Sequence, residues 1–229
     1  MKIVLKKTPQ NPIIIEGFPG FGLVGTITTE FLLDHLKAEM IGEFHYQELA
    51  PIAAVHKGAL VNPMAIWYVP QRNIVLLHTI LNVKGFEWEI ANAISEMAKK
   101  MKAKQIIGLE GVATDDLSGE AKAYYYGDKK LEACGASPVK ESIIMGVSSA
   151  LMLRNPKTSC IFASTHSQLP DSKAAAKLIE ILDKYLDLNV DYKPLLKQAE
   201  EFENKLKTIM QQSQKTVREA DKKTMSYLG

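Results

Sequence analysis

The chain has 229 residues, 46% of them apolar and 24% charged, and a formal charge of +2. Those proportions belong to an ordinary globular fold and exclude a disordered chain, while only 2 cysteines leave no disulfide framework. The near-neutral charge, with basic residues spread along the chain, argues against nucleic acid, and no apolar run approaches the roughly 20 residues that span a bilayer.

Met1 to Lys7 is basic again by Lys6, too short for a secretory signal, so a cytoplasmic protein is expected. Pro12 to Glu16, with Ile13, Ile14 and Ile15 in succession, predicts an interior strand. The stretch Gly17-Phe18-Pro19-Gly20-Phe21-Gly22-Leu23-Val24-Gly25 then turns the chain into a helix. That helix buries Val24, Ile27, Phe31, Leu32 and Leu36 and leaves Glu30, Asp34 and Lys37 to water. Met40 to Tyr46, Ile52 to Lys57, Met64 to Val69 and Asn73 to Thr79 read as strands with no helix between them, so hairpins and a mixed sheet are expected.

A helix over Glu87 to Met101 and an interior strand over Lys104 to Leu109 follow, with Tyr124-Tyr125-Tyr126 as a further strand candidate. Ile144 to Leu153 reads as a buried helix and Thr158 to Thr165 as a strand; Asp171, after Pro170, is a good N-cap for a helix reaching about Leu186. The spacing divides the chain into an α/β core domain over 1–190, a charged helix over 191–218 with a heptad-like seam of Leu195, Ala199, Phe202, Leu206 and Ile209, and a flexible tail over 219–229.

The spacing Gly20-x-Gly22-x-x-Gly25 matches the pattern that brings a helix N-terminus up to a pyrophosphate, with Glu39 and Glu43 in range to hold a ribose. Phe18, Pro19 and Phe21 put apolar bulk where phosphates and water belong, and hairpins replace the next helix of a dinucleotide-binding half. Gly17, Gly20, Gly22 and Gly25 are therefore read as structural, supplying positive φ and close helix packing, with a nucleotide or small ligand at this turn as the alternative. Phe18, Pro19 and Phe21 are read as an exposed contact surface for a partner.

His56, His78 and His166 lie in or beside strands without metal spacing, Cys134 and Cys160 stand alone, and Asp115 and Asp116 beside Ser118-Gly119 read as turn residues. Ser164-Thr165-His166-Ser167 lacks the flanks of a nucleophile elbow. No catalytic set, metal site or cofactor is expected.

The chain resembles the archaeal branch of the proteasome assembly chaperone family, of the type-two kind. The resemblance is carried by the Gly17 to Gly25 stretch, by Leu49-Ala50-Pro51, by Gly108-Leu109-Glu110-Gly111, by Gly146 with Ala150-Leu151, and by Pro170-Asp171 with Ala174-Ala175-Ala176. It implies a three-layer α/β/α sandwich of the phosphorylase/hydrolase-like kind with a mixed sheet. It also implies a homo-oligomer and a non-enzymatic chaperone or adaptor whose partner is the α-ring of the proteasome core particle. Family members that dock on that ring end in an apolar residue, a tyrosine and one last residue. Here tyrosine is third from the end, after Ser226, so Tyr227, Leu228 and Gly229 form a shifted version of that tail.

Overall fold

The computed structural model describes residues 1–47, 53–56, 59–114, 120–166, 168–197 and 208. The chain opens with strand β1 (Lys2–Leu5) and strand β2 (Ile13–Gly17), turns through a 3-10 segment (Phe21–Leu23), and enters helix α1 (Val24–His35). Strands β3 (Glu39–His45), β4 (Ala54–His56), β5 (Ala59–Val61), β6 (Met64–Val69) and β7 (Ile74–Thr79) follow before helix α2 (Glu87–Met101). After β8 (Gln105–Ala113) come β9 (Ala123–Tyr126), the short α3 (Lys130–Ala133), β10 (Ser137–Pro138), α4 (Val147–Arg154), β11 (Thr158–Thr165), α5 (Ser172–Leu186) and α6 (Lys193–Lys197).

One nine-stranded sheet runs in the order β1-β3-β6-β7-β2-β8-β11-β9-β10, and β4 and β5 form a hairpin of their own. Its centre is parallel, with β2 between β7 and β8 and β11 beyond β8. The β1, β3, β6 and β7 side is antiparallel, as short connections require, and β9 returns antiparallel on β11. The sheet is therefore mixed, as its hairpins predict. β1 is an addition, because its alternately exposed and half-buried residues are too few to stand out in the sequence.

Side chains alternate across β2 and β8, and that alternation decides which helices each face receives. Ile15, Leu76, Ile107 and Ile161 share a core with Val24, Ile27 and Leu32 of α1 and Leu178, Ile181 and Leu182 of α5. On the other face Ile14, Val75, Leu77 and Ile106 pack against Ile90, Ile94 and Met97 of α2 and Val147 and Leu151 of α4. Ile14 and Ile15 are wholly buried, each worth about 1.5–3 kcal/mol over an exposed position. This is the three-layer α/β/α arrangement.

Asp171 caps α5, accepting from the Ala174 amide at 2.9 Å, where Pro170-Asp171 predicts it. Of the seam residues in the C-terminal helix, Leu195 falls in α6, buried against the α1 and α5 face. Ala199, Phe202, Leu206 and Ile209 lie outside the described residues, as do Leu49-Ala50-Pro51, Asp115, Asp116 and the 219–229 tail.

Chain order fixes where a site can form. β2 leads through α1 to the antiparallel side, and β7 leads through α2 back across to β8 on the opposite side of β2. The winding reverses between β2 and β8, and in such sheets ligands enter outside the carboxyl ends of the strands at that point.

Candidate functional site

At the carboxyl ends of β2 and β8 the alternation that buries Ile14 and Ile106 places Glu16 and Glu110 on the same face, beneath α4. Glu16 pairs in register with Gly108, and Gly108 pairs with Cys160 of β11. A side chain at Gly108 would stand 2.8 Å from Glu16 Oε1, 2.8 Å from Ser148 Oγ and 2.9 Å from Cys160 Sγ, so glycine makes the space the carboxyl occupies. Ser148, in the first turn of α4, bridges the pair: its hydroxyl oxygen lies 2.5 Å from Glu16 Oε1 and 2.9 Å from Glu110 Oε1.

A serine hydroxyl has one proton to give, so both contacts are hydrogen bonds only if one carboxyl is protonated and donates in return. Glu16 is wholly buried and Glu110 is 7% exposed. Burial pushes the Glu16 carboxyl up to about 7, against the pull of the bonds from Ser148 and from the Phe18 amide at 3.4 Å. Burial, and then the charge of Glu16, raise Glu110 well above the ordinary range, with Ser148 pulling the other way. The consistent arrangement is a protonated Glu110 donating to Ser148, and Ser148 donating to Glu16. Cys160 beside them is held as a thiol, first by burial and then by the two carboxyls.

Over the cluster opens a cleft of about 680 Å³, walled by the Phe18–Phe21 turn on one side and residues 142–147 on the other. Glu110 lines it; Oε2 has no hydrogen-bond partner among the described residues and lies 2.3 Å from where a Cβ on Gly20 would be. Ile143 is 90% exposed and Met145 78% exposed. This corrects the buried helix expected from Ile144: α4 starts at Val147, after Gly146 at φ 91°, and the apolar residues before it stand out from the surface.

The glycine turn is placed differently from its expected form at one residue. Phe18 is only 2% exposed, its ring meeting Phe44 edge-on at 6.2 Å between centroids. The expectation of two outward rings is corrected, because the alternation of β2 carries Phe18 into the α2 and α4 core; Pro19 and Phe21 are half-buried and line the cleft. Gly17 and Gly25 bring β2 and α1 together, since a Cβ on Gly17 would lie 2.2 Å from the Gly25 carbonyl oxygen, and Gly22 takes φ 65°. Gly20, in extended backbone, clears Glu110 instead. The Glu16 carboxylate beneath Ser148 opposes the phosphates a dinucleotide would bring to this turn. Tyr227, Leu228 and Gly229 lie outside the described residues.

Among the described residues, His78 and His166 do not come together at a metal-binding cluster. His78 sits between α1 residues, 2.9 Å from Thr29 Oγ1 through Nδ1 and 2.9 Å from Glu30 Oε2 through Nε2, and His166 is exposed. Ser164 Oγ accepts from the Lys122 amide at 2.8 Å, and Thr165 donates to Asp171 at 2.7 Å, both as strand-end bonds. The Glu16, Ser148 and Glu110 cluster is the feature that residue-by-residue reading misses. Its signal is a carboxyl closing an interior apolar run, opposite a second one after a glycine.

Fold and cleft together define a doubly wound mixed α/β/α protein with a cleft at its switch point. A model of the PAC2 family matches residues 14–210, and the chain belongs to that family. Among solved structures it is similar to Pyrococcus furiosus PbaA, described as an archaeal homolog of proteasome-assembly chaperone, with 30% identity and a TM-score of 0.84 over 94% of this chain and 98% of that one. Pyrococcus furiosus PbaB, described as an archaeal proteasome activator, shares the fold at 24% identity and a TM-score of 0.75, over 91% of this chain and 98% of that one. An uncharacterized protein of Methanocaldococcus jannaschii, MJ0106, is 25% identical over 231 residues, 96% of this chain and 94% of its own.

Proposed function

We propose that this chain is a non-enzymatic proteasome assembly chaperone or adaptor that binds the α-ring of the core particle. The observation that carries the reading is the likeness to PbaA over nearly the full length of both chains, at 30% identity and a TM-score of 0.84. Membership of the PAC2 family agrees with it. The partner surface of this reading comprises Pro19 and Phe21 with the exposed Ile143 and Met145 around the cleft mouth, Phe18 backing them from the core, and the tail residues Tyr227, Leu228 and Gly229. The protein acts as a homo-oligomer in the cytoplasm.

Mixing the purified chain with α-subunits or assembled core particles at micromolar concentration tests the reading by co-migration in size exclusion. Association is expected with one or both, and separate elution from both contradicts it. Deleting residues 227–229 abolishes the association if the tail is the contact; Met145→Asp abolishes it if the cleft mouth is.

A further inference from the structure

We propose that the cleft at the carboxyl ends of β2 and β8 receives a primary ammonium group carried on an apolar stem, with Glu110 Oε2 as its counter-ion. The site shares Phe21, Ile143 and Met145 with the proposed partner surface, and it stands on three observations.

The first is a carboxyl oxygen that opens on the cleft without a donor from the described residues. Glu110 is 93% buried by its 7% exposure, Oε1 is held by Ser148, and Oε2 has no hydrogen-bond partner among the described residues. It faces the cleft under Gly20, where any larger residue would meet it. Oε2 reaches the cleft and is not sealed in the core, so an incoming charged donor can meet it directly.

The second is sign. Glu16 from β2 and Glu110 from β8 face each other through Ser148 of α4, and Cys160 of β11 adds a neutral thiol below them. At the rim Lys84 is offset by Glu87. Acidic side chains outnumber basic ones in the cleft lining, Glu87 and Glu110 against Lys84, and a cation takes the place of the proton that burial keeps on Glu110.

The third is the shape of the ligand. Phe21, Val83, Ile143 and Met145 wall the space above the carboxyl, so the group that reaches it must be mostly apolar behind its charge. Among the described residues no group of three or more His, Cys, Asp or Glu could hold a metal ion, which favours an organic cation over a metal. A free alkylamine and a lysine side chain offered by a partner present the same chemistry.

Calorimetry of the full chain at pH 7 with n-pentylamine and with Nα-acetyl-lysine-N-methylamide tests the site, run in two buffers of different ionisation enthalpy. Saturable binding with release of a proton to the buffer is expected, and the tighter of the two probes names the source. Glu110→Gln should weaken binding at least tenfold and abolish the proton release. Gly20→Ala, which sets a methyl against Oε2 while keeping the carboxyl, should weaken it as strongly, so the inference survives failure of either variant to fold. The neutral n-pentanol should bind at least tenfold more weakly. Absence of saturable heat with both amines, wild-type affinity in both folded variants, or equal binding of the alcohol would overturn the proposal. Loss of amine binding with α-ring association intact would confine the failure to this site.

Discussion

The sheet carries a polar cluster at each end of its parallel strands, and the two are built on opposite terms. At the amino ends of β8 and β11, Gln105 Nε2 donates to Ser159 Oγ at 2.9 Å and the Asp128 amide donates to the same oxygen at 3.1 Å. The Tyr185 hydroxyl donates to Asp128 Oδ2 at 2.6 Å. The Lys130 amide donates to Asp128 Oδ1 at 2.9 Å, so each oxygen of that carboxylate has a donor, although the Tyr185 hydroxyl also lies 3.0 Å from Gln105 Oε1. The Tyr185 bond and then the Lys130 amide hold the Asp128 carboxyl below its ordinary value, and burial followed by the bond to Asp128 pushes the Tyr185 hydroxyl up to about 12. At the carboxyl ends, one serine hydroxyl serves Glu16 and Glu110, and burial raises both. The supply of donors, more than the count of acids, separates a cluster that ties strands together from one that holds a proton and keeps an oxygen open to a cleft.

The largest expected effect comes from filling the space the open cluster uses. Gly108→Ala drives a methyl into Glu16, Ser148 and Cys160, all within 2.9 Å of it, and should cost about 3 kcal/mol in denaturant unfolding. A loss below about 0.5 kcal/mol would mean that the cluster is loosely packed.

Next comes the response to pH. Both glutamates are raised above the ordinary 4.5, so above that pH the folded chain holds protons that the unfolded chain has released. Stability therefore falls as pH rises from 4.5, and the part due to Glu16 is complete once pH passes about 7. Each group contributes a slope of up to about 1.4 kcal/mol per pH unit within its window. Glu110→Gln should remove one such slope and leave the variant more stable than wild type at pH 8. A variant that tracks the wild-type profile would contradict the shared proton.

The smallest effect belongs to the closed cluster. Tyr185→Phe removes one donor from a half-buried carboxylate and should cost about 1 kcal/mol, equally at pH 6 and pH 8. A cost that grows with pH in that range would erase the distinction between the two ends.

Much of the layered fold is legible in the sequence because its signals are local. Ile13 to Ile15 read as interior strand, Asp171 as a cap, and the strands without helices between them as hairpins. β1 lacks such a signal, and the loop at Ile144 and Met145 reads as helix because its apolar residues continue the pattern of α4, although Met145 faces outward. The cluster is illegible for a different reason. Glu16 and Ser148 are 132 positions apart, and Glu16 at the end of an apolar run resembles a solvated strand terminus until the partner strand is known. Phe18 misleads in the same way, since an aromatic residue in a glycine turn looks exposed until alternation along β2 is followed one residue further.

Carbon NMR of the glutamate carboxyls across pH 3 to 10 tests the shared proton without perturbing it. Two glutamates should titrate far from the rest as a coupled pair, one step near 7 and the other displaced upward, with Ser148→Ala moving both steps higher. Every glutamate titrating between about 4 and 5 would contradict the account.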